Sequence, residues 1–497
     1  MTTVVLTEFA DRPYPHATID TLPDNVLLEI FEFYLGQDNP DRVGYYGQSY
    51  DGWQTLVHVC HRWRCVVFAS PRRLDLKLYC TRNRLFKSKT LDIWPALPIA
   101  IFAEKMRCKE DVTNVITALR HHNRVCKIFY HNARSQDSLL LKEFAAIDEP
   151  FVALTCLELR SLKRDVPVLP DSFLGGSAPR LRSLRLVGIP YPSIGNLLSS
   201  TTNLVRLSLR HIPHSGYIPP ETIVHCLSML PRLKSLLIGF QHPRSRAHRA
   251  SRHPPPLTRA VCPNLTYFAF HGDSEYLEDI LSHLETPMLN QSRFRFFNQL
   301  IFDTPLLGHF IRRTGTFMKI HSARVEFSSW LARFILSGRE EIAGSDSEAL
   351  QLEISCGPLD WQLSAMAQVL SSFLSSLPTL ESLSITVSRK DWPGEIEGIQ
   401  WREFLHSFTF VKDVSLVGED SVRLVAPALQ ELAGERVEEV LPALQNLFFS
   451  RLRGKAWMPS QAVEEAIEDF TITRRLHGHP LSLHNWGTKY MPRTYAQ

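Results

Sequence analysis

"PRLRSLRL" (residues 179–186) decides the fold, because the same phrase returns along the chain. It recurs as "PRLKSLLI" from Pro231, "PNLTYFAF" from Pro263, "PTLESLSI" from Pro378 and "PALQNLFF" from Pro442. Each copy has a proline, one variable residue and then apolar residues in an L-x-x-L-x-L frame. Proline lacks a backbone donor and ends a preceding helix. The alternation after it puts every second side chain on one face of a strand. Looser copies, "TNLVRLSL" and "TCLELRSL", centre on Leu204 and Leu157. Leu181, Leu204, Leu233 and Leu265 lie 23, 29 and 32 residues apart, which is room for one strand and one returning helix per unit.

The segments between the strands carry helical periodicity, as in "PPETIVHCLSML" (219–230) and "SAMAQVLSSFLSSL" (364–377). Upstream, "PIAIFA" (98–103) and "VCKIFY" (125–130) read as strands joined by the helix "DVTNVITALRHH" (111–122). "RFRFF" (293–297), "ARVEF" (323–327) and "LQLEI" (350–354) fill the interval from 265 to 380. "PALQELAG" from Pro427 copies the letters, but its Leu429 precedes Leu444 by only 15 residues, so "ALQELAGERVEEVL" is expected to be a helix. The frame and its period resemble leucine-rich repeats. The position where such repeats usually hold asparagine has Ile189, Ile212, Gln241, Asp273 and Ser388 instead. An irregular horseshoe without a regular asparagine ladder is expected.

The N-terminal stretch "IDTLPDNVLLEIFEFYLG" (19–36) has more apolar surface than one packed helix face needs. At about 100° per residue, Val26, Ile30, Phe33 and Tyr34 form one side. Leu27, Leu28, Phe31 and Leu35 continue around to another, and Asn25, Glu29 and Glu32 share a narrow polar strip. An ordinary surface helix buries a single stripe, so this one has two faces to cover. Pro23 and Asp24 suit a helix start. A loop-like stretch (36–52) follows, and the helical pattern then resumes through Trp53, Leu56, Val57, Cys60 and Trp63 to the breaker Pro71.

"LPDNVLLEIFEFYL" followed by "LVHVCHRWRCVVFAS" resembles the F-box, a three-helix domain that binds the Skp-type adaptor of a cullin ubiquitin ligase. The resemblance implies adaptor-binding roles for Leu22, Pro23, Leu27, Leu28, Ile30, Phe31 and Leu35, and for Val59, Cys60 and Trp63 in the later helices. It departs from the family in the length of the loop after Leu35 and in lacking Leu-Trp near Arg73 and Leu74. With the repeats behind it, the chain resembles the fungal F-box/leucine-rich-repeat proteins, in which the repeats are taken to recognise a protein target. The expected fold class is therefore α/β. A flexible tail (1–18) precedes a three-helix F-box (19–75), an irregular leucine-rich-repeat solenoid (95–457), and a C-terminal capping helix and tail (458–497).

Composition excludes several classes. The 497 residues are 44% hydrophobic and 21% charged, as in globular chains. Lys and Arg total 55 against 51 Asp and Glu, a net charge of +4 that does not favour nucleic acid as a partner. The nine cysteines are scattered without CxxC spacing, so reduced thiols inside the cell, in cytoplasm or nucleus, are expected. No apolar run has the length of a membrane span, and the N-terminus lacks the pattern of a secretory leader. No GxSxG, HExxH, Walker or GxGxxG pattern occurs. The expectation is a non-enzyme without cofactor or metal. "HPRSRAHRASRHPPP" (242–256) reads as a solvated, disordered insertion.

In the repeat frame, residues flanking the second and third apolar positions face away from the core. These are Arg160, Arg185, Arg206, Arg210, His271, Arg293, Arg295 and Arg324, with Glu158, Glu326 and Glu353 as acidic exceptions. Later strands supply Ser382, Ser384, Thr386 and Asn446. A row of arginine forks suits carboxylate or phosphate, so the expected target is an acidic or phosphorylated protein segment. The alternatives are that these arginines pair with neighbouring carboxylates or only keep the face soluble, and that the protein is an interaction scaffold without a ubiquitin role.

Overall fold

The computed structural model describes residues 19–36, 52–80, 96–104, 109–132, 138–163, 166–243, 259–338, 347–388, 398–432, 440–450 and 460–484. The expected tail (1–18), the stretch 37–51 and residues 244–256 of the basic insertion (242–256) lie outside the described residues. The chain divides into two compact units, Met1–Tyr130 and His131–Gln497.

The first unit opens with three helices, α1 (Asp24–Gly36), α2 (Gly52–Val59) and α3 (His61–Ala69). Sequence periodicity runs unbroken from Trp53 to Val67, but the chain turns at Cys60, whose sulfur accepts the Trp63 backbone N–H at 3.4 Å and caps α3. Arg62 on α3 fixes the start of α1. Its guanidinium donates to the Leu22 carbonyl at 2.5 Å and to the Asp24 carboxylate at 2.7 Å. Leu27 and Phe31 are fully buried, and Phe31 packs on Trp63 with ring centroids 4.8 Å apart. Strands β1 (Leu78–Cys80), β2 (Ile99–Glu104) and β3 (Val125–Asn132) follow, with a helix Lys109–Leu119 between the last two. Trp53 ties the helices to this segment through a bond from its indole N–H to the Lys77 carbonyl at 3.0 Å.

The second unit is a stack of strand–helix repeats. Its first strands are β4 (Cys156–Ser161), β5 (Ser183–Val187), β6 (Arg206–Ile212) and β7 (Ser235–Phe240). A short pair, β8 (Ala260–Val261) and β10 (Leu284–Glu285), flanks β9 (Tyr267–Gly272). Then come β11 (Gln291–Phe296), β12 (Ile320–Ser328), β13 (Leu331–Gly338), β14 (Ser347–Ile354) and β15 (Ser382–Ser388). The last are β16 (Asp413–Val417), β17 (Asn446–Ser450) and β18 (Ser482–His484). Every copy of the repeated phrase forms its strand in parallel register: Leu157, Leu184, Leu207, Leu236 and Phe268 pair in one row.

Backbone groups do the work an asparagine ladder would do. Just before each strand a turn N–H donates to the equivalent carbonyl one repeat back: Arg182 to Thr155, Val205 to Arg182 and Lys234 to Val205, each at 2.8 Å. Two asparagines do assist, one residue after the proline position. Asn203 donates to the Pro179 carbonyl at 3.2 Å and Asn264 to the Pro231 carbonyl at 2.8 Å.

Three sequence expectations need correction. The strands of the 265–380 interval do not follow one another in space: the sheet runs β11–β14–β13–β12–β15. β12 turns directly into β13 around Ser329 and Trp330, and β13 is antiparallel to both neighbours. A two-residue connection permits only an antiparallel partner, so this meander reverses the order of three strands. Second, β16 occupies a stretch without a proline signal, and α-helix Glu419–Leu432 begins well before the expected 428 and carries Pro427 inside it. Third, the C-terminal tail is not only a cap. After helix Gln461–Leu476 the chain adds β18 alongside β17 in parallel.

The helices stack in order on the buried side of the sheet, from Ile194–Ser199 through Pro305–Arg313 and from Leu359–Ser371 to Gln461–Leu476. Gly308 joins the two series: a methyl there would lie 2.3 Å from the Ser372 carbonyl oxygen. Helix Pro305–Arg313 has no side-chain cap of its own. Its first amides, Leu306 and Leu307, donate at 2.8 and 2.7 Å to the buried carboxylate of Glu278 on the preceding helix, Ser274–Ser282. Leaving buried donors unmade costs about 1–3 kcal/mol. Glu278→Ala is therefore expected to lower the stability of the repeat unit by at least about 1 kcal/mol, read as a lower urea midpoint with unchanged slope.

Candidate functional site

Two surfaces carry the residues singled out in the sequence, one in each unit. On α1, Ile30, Phe33 and Tyr34 share a helix face at i, i+3 and i+4 and stand in solvent at 41%, 71% and 44% exposure. Pro23 and Val59 are also exposed, whereas Leu22, Leu28, Leu35, Cys60 and Trp63 are half-buried. Leu27 and Phe31 are not on this surface. Both are wholly buried and hold α1 against α3, so as surface contact residues they are corrected to core residues. Phe33, the most exposed of the group, was visible in the helical pattern but has no counterpart in the motif.

The second surface is the face of the repeat sheet turned away from the helices. Register puts Glu158, Arg185, Ser208, Leu237, Ala269 and Arg293 in one row across β4 to β11. The next row carries Arg160, Val187 and Arg210, then His271, Arg295, Glu353, Arg333 and Glu326. Arg206 is two residues before Ser208 on the same face and is exposed. Arg324 lies on β12 opposite Ser384. All the arginines expected to face one way therefore do so.

Their charge is not uniform along the face. Around β11–β14 it is neutralised from within. Glu353, 1% exposed at its side chain, meets Arg293 at 2.9 Å, Arg333 at 3.0 Å and Arg295 at 3.9 Å. Arg333 also meets Glu326 at 2.9 Å, and Gln351 donates to Glu353 at 2.7 Å. Glu353 accepts from Arg293 and Arg333 and has Arg295 nearby only because the meander sets β14 between β11 and β13.

At the β4–β6 end the balance is different. Glu158 meets Arg185 at 3.4 Å, but Arg160 and Arg210 have no carboxylate partner among the described residues. The Nε atoms of Arg160 and Arg185 are buried without a hydrogen-bond partner. Burial, and then the like charges of Arg185, Arg293 and Arg160, lower the Arg210 pKa. His271, half-buried against Phe297 with ring centroids 4.7 Å apart, is pushed down to about 4 by burial first and by Arg295 and His211 next, with Glu353 opposing. His211, at a positive φ of 51° in the β6 bulge, is lowered by burial and by Arg210, Arg160 and Arg295.

Among the described residues no helix is long and apolar enough to cross a membrane, and no three His, Cys, Asp or Glu side chains converge as metal ligands.

The parallel strands with their leucine rows, each strand followed by a returning segment, have the strand-and-return arrangement of leucine-rich repeats. No family model matches the chain, and no curated protein matches it. Among solved structures it is similar to the leucine-rich repeat-containing protein LegL7 from Legionella pneumophila, at 15% identity and a TM-score of 0.27, covering 69% of this chain and 97% of that one. It is also similar to TLR13 in its complex with ssRNA13, at 11% identity and a TM-score of 0.30, covering 82% of this chain and 49% of that one. At these scores neither likeness bears on how the repeats are arranged or on what they bind.

His271 gives a pH prediction. Its folded pKa, about 4, lies below the ordinary histidine value of about 6.5. Between those values the unfolded chain binds the proton and the folded chain does not, so this residue's contribution to stability falls as pH drops from about 6.5 towards 4. His271→Gln should flatten that acid-side loss, measured as urea midpoints at pH 7, 6 and 5, while the His211 share remains.

Proposed function

We propose that the chain is a non-enzymatic recognition protein whose repeat sheet holds a protein target. In the finer form of this reading it is the substrate-recognition subunit of a Skp–cullin–F-box ubiquitin ligase acting in cytoplasm or nucleus. The helical unit docks a Skp-type adaptor, through it a cullin, and the repeats bring the target close to a charged ubiquitin carrier. Transfer chemistry then belongs to other subunits, and this chain contributes proximity. The observation that carries the reading is the water-exposed strip of Ile30, Phe33 and Tyr34 on α1, beside the Leu22–Pro23 start of the motif. A soluble domain gains nothing from leaving a phenylalanine 71% exposed, and apolar surface of this kind marks a protein interaction site. The arginine face supports an acidic or phosphorylated segment as the target.

Burying one large apolar side chain is worth about 1.5–3 kcal/mol, and each 1.4 kcal/mol is tenfold in affinity. Ile30→Ala with Phe33→Ala, or Leu22→Ala with Pro23→Ala, should therefore weaken capture of a purified Skp-type adaptor at least tenfold and leave the melting temperature unchanged. Phe31→Ala should instead unfold the helical unit. If the unaltered chain captures no adaptor where another F-box protein does, the protein is an interaction scaffold without a ubiquitin role.

A further inference from the structure

We infer that the open face of the repeat sheet reads a short extended peptide segment by two anchors: an anionic side chain held at Arg160, Arg185 and Arg210, and an apolar side chain placed on Trp330 about six residues away. The inference rests on the reading of the repeat sheet as the target-binding surface and specifies what that target presents.

The anionic anchor follows from the uneven pairing of charge. Three guanidinium groups on adjacent strands face one carboxylate, Glu158, at 3.4 Å from Arg185. Two of their Nε donors are buried and unpartnered. A carboxylate or phosphomonoester placed there gives Arg160 and Arg210 the anionic partner they lack among the described residues and relieves the repulsion among the three cations. The β11–β14 end offers no such vacancy, because Glu353 and Glu326 already occupy its arginines.

The apolar anchor follows from the meander. Trp330 sits in the turn between β12 and β13, 60% exposed, with the Arg295 guanidinium 5.9 Å from its ring centroid. Leu300 and Ile301, which follow β11 at the same edge of the sheet, are 84% and 54% exposed. Between the anchors the face carries Leu237, Gly239 and Ala269, with His271 beside Arg295. Gly239 and Ala269 offer no side-chain hydrogen bonds and little height, so a peptide backbone can lie across them. From β6 to β11 is three strand steps, about 14 Å at the usual spacing. Adding the reach from Arg295 to the indole gives about 20 Å, or about six extended residues.

The test uses the full chain and fluorescein-labelled peptides in a Gly/Ser/Ala background. Each peptide carries one Leu and either one Glu or one phosphoserine, in both orders and at separations from two to ten residues, read by fluorescence anisotropy. Affinity should peak near a separation of six and weaken as salt rises. It should fall at least tenfold in Arg210→Glu, in Arg210→Gln and in Trp330→Ala, with no change in Lys412→Ala, a substitution at the exposed pair with Glu381. Tighter binding of the phosphoserine set identifies a phosphate as the anion, and equal binding identifies a carboxylate. Affinity independent of separation, indifference to both Arg210 and Trp330 substitutions, or no peptide binding at all overturns the inference. Adaptor capture is measured on the same samples, so failure of the face is distinguishable from failure of the helical unit.

Discussion

One row of buried side chains organises the repeat unit. Leu159, Leu186, Leu209, Ile238, Phe270 and Phe294 pair strand to strand, and the row continues through Leu352, Phe334, Val325, Ile385, Leu416 and Phe449. All are buried. The requirement at each step is an apolar side chain of suitable bulk on the helix side, about 4.8 Å from the last. Strand direction is not part of it: the row passes through the antiparallel β13 as well as the parallel strands. The helix layer accepts the same reversal because Gly308 lets two helices close over it.

This explains which parts of the fold the sequence disclosed. Where proline precedes the frame, as at Pro179, Pro231, Pro263, Pro378 and Pro442, a turn at the proline leads into the strand and the strand is legible. β16 uses the same spacing with Val411, Val414 and Leu416 and no proline, so its letters are ordinary. β18 begins after Pro480 but follows a helix and stands alone at the end of the pattern. The meander was hidden for another reason. A reading by repeats assumes that each strand lies next to its predecessor, and the two-residue turn at Ser329–Trp330 breaks that assumption.

The charges of the open face show the same limit. Parity along each strand is a local property, so the side on which Arg185, Arg206 and Arg295 lie could be read from spacing. Which arginine has a carboxylate is a tertiary property. Had β12 followed β11 directly, Arg293 and Arg295 would stand beside Arg324 and Glu326. The observed order gives them Glu353 instead, which they share with Arg333. On α1 the helical period separated two faces correctly, but the motif grouped Leu27 and Phe31 with Ile30, and only packing against Trp63 tells them apart.

The turn-to-turn bonds between successive repeats link main-chain groups, from Arg182 to Thr155, Val205 to Arg182 and Lys234 to Val205. Main-chain groups do not change when side chains do. Residues on the open face of β4 to β9 can therefore be exchanged in the course of descent with little effect on the register that positions them. The scaffold is held by atoms common to nearly all amino acids, which leaves the face free to follow a changing partner.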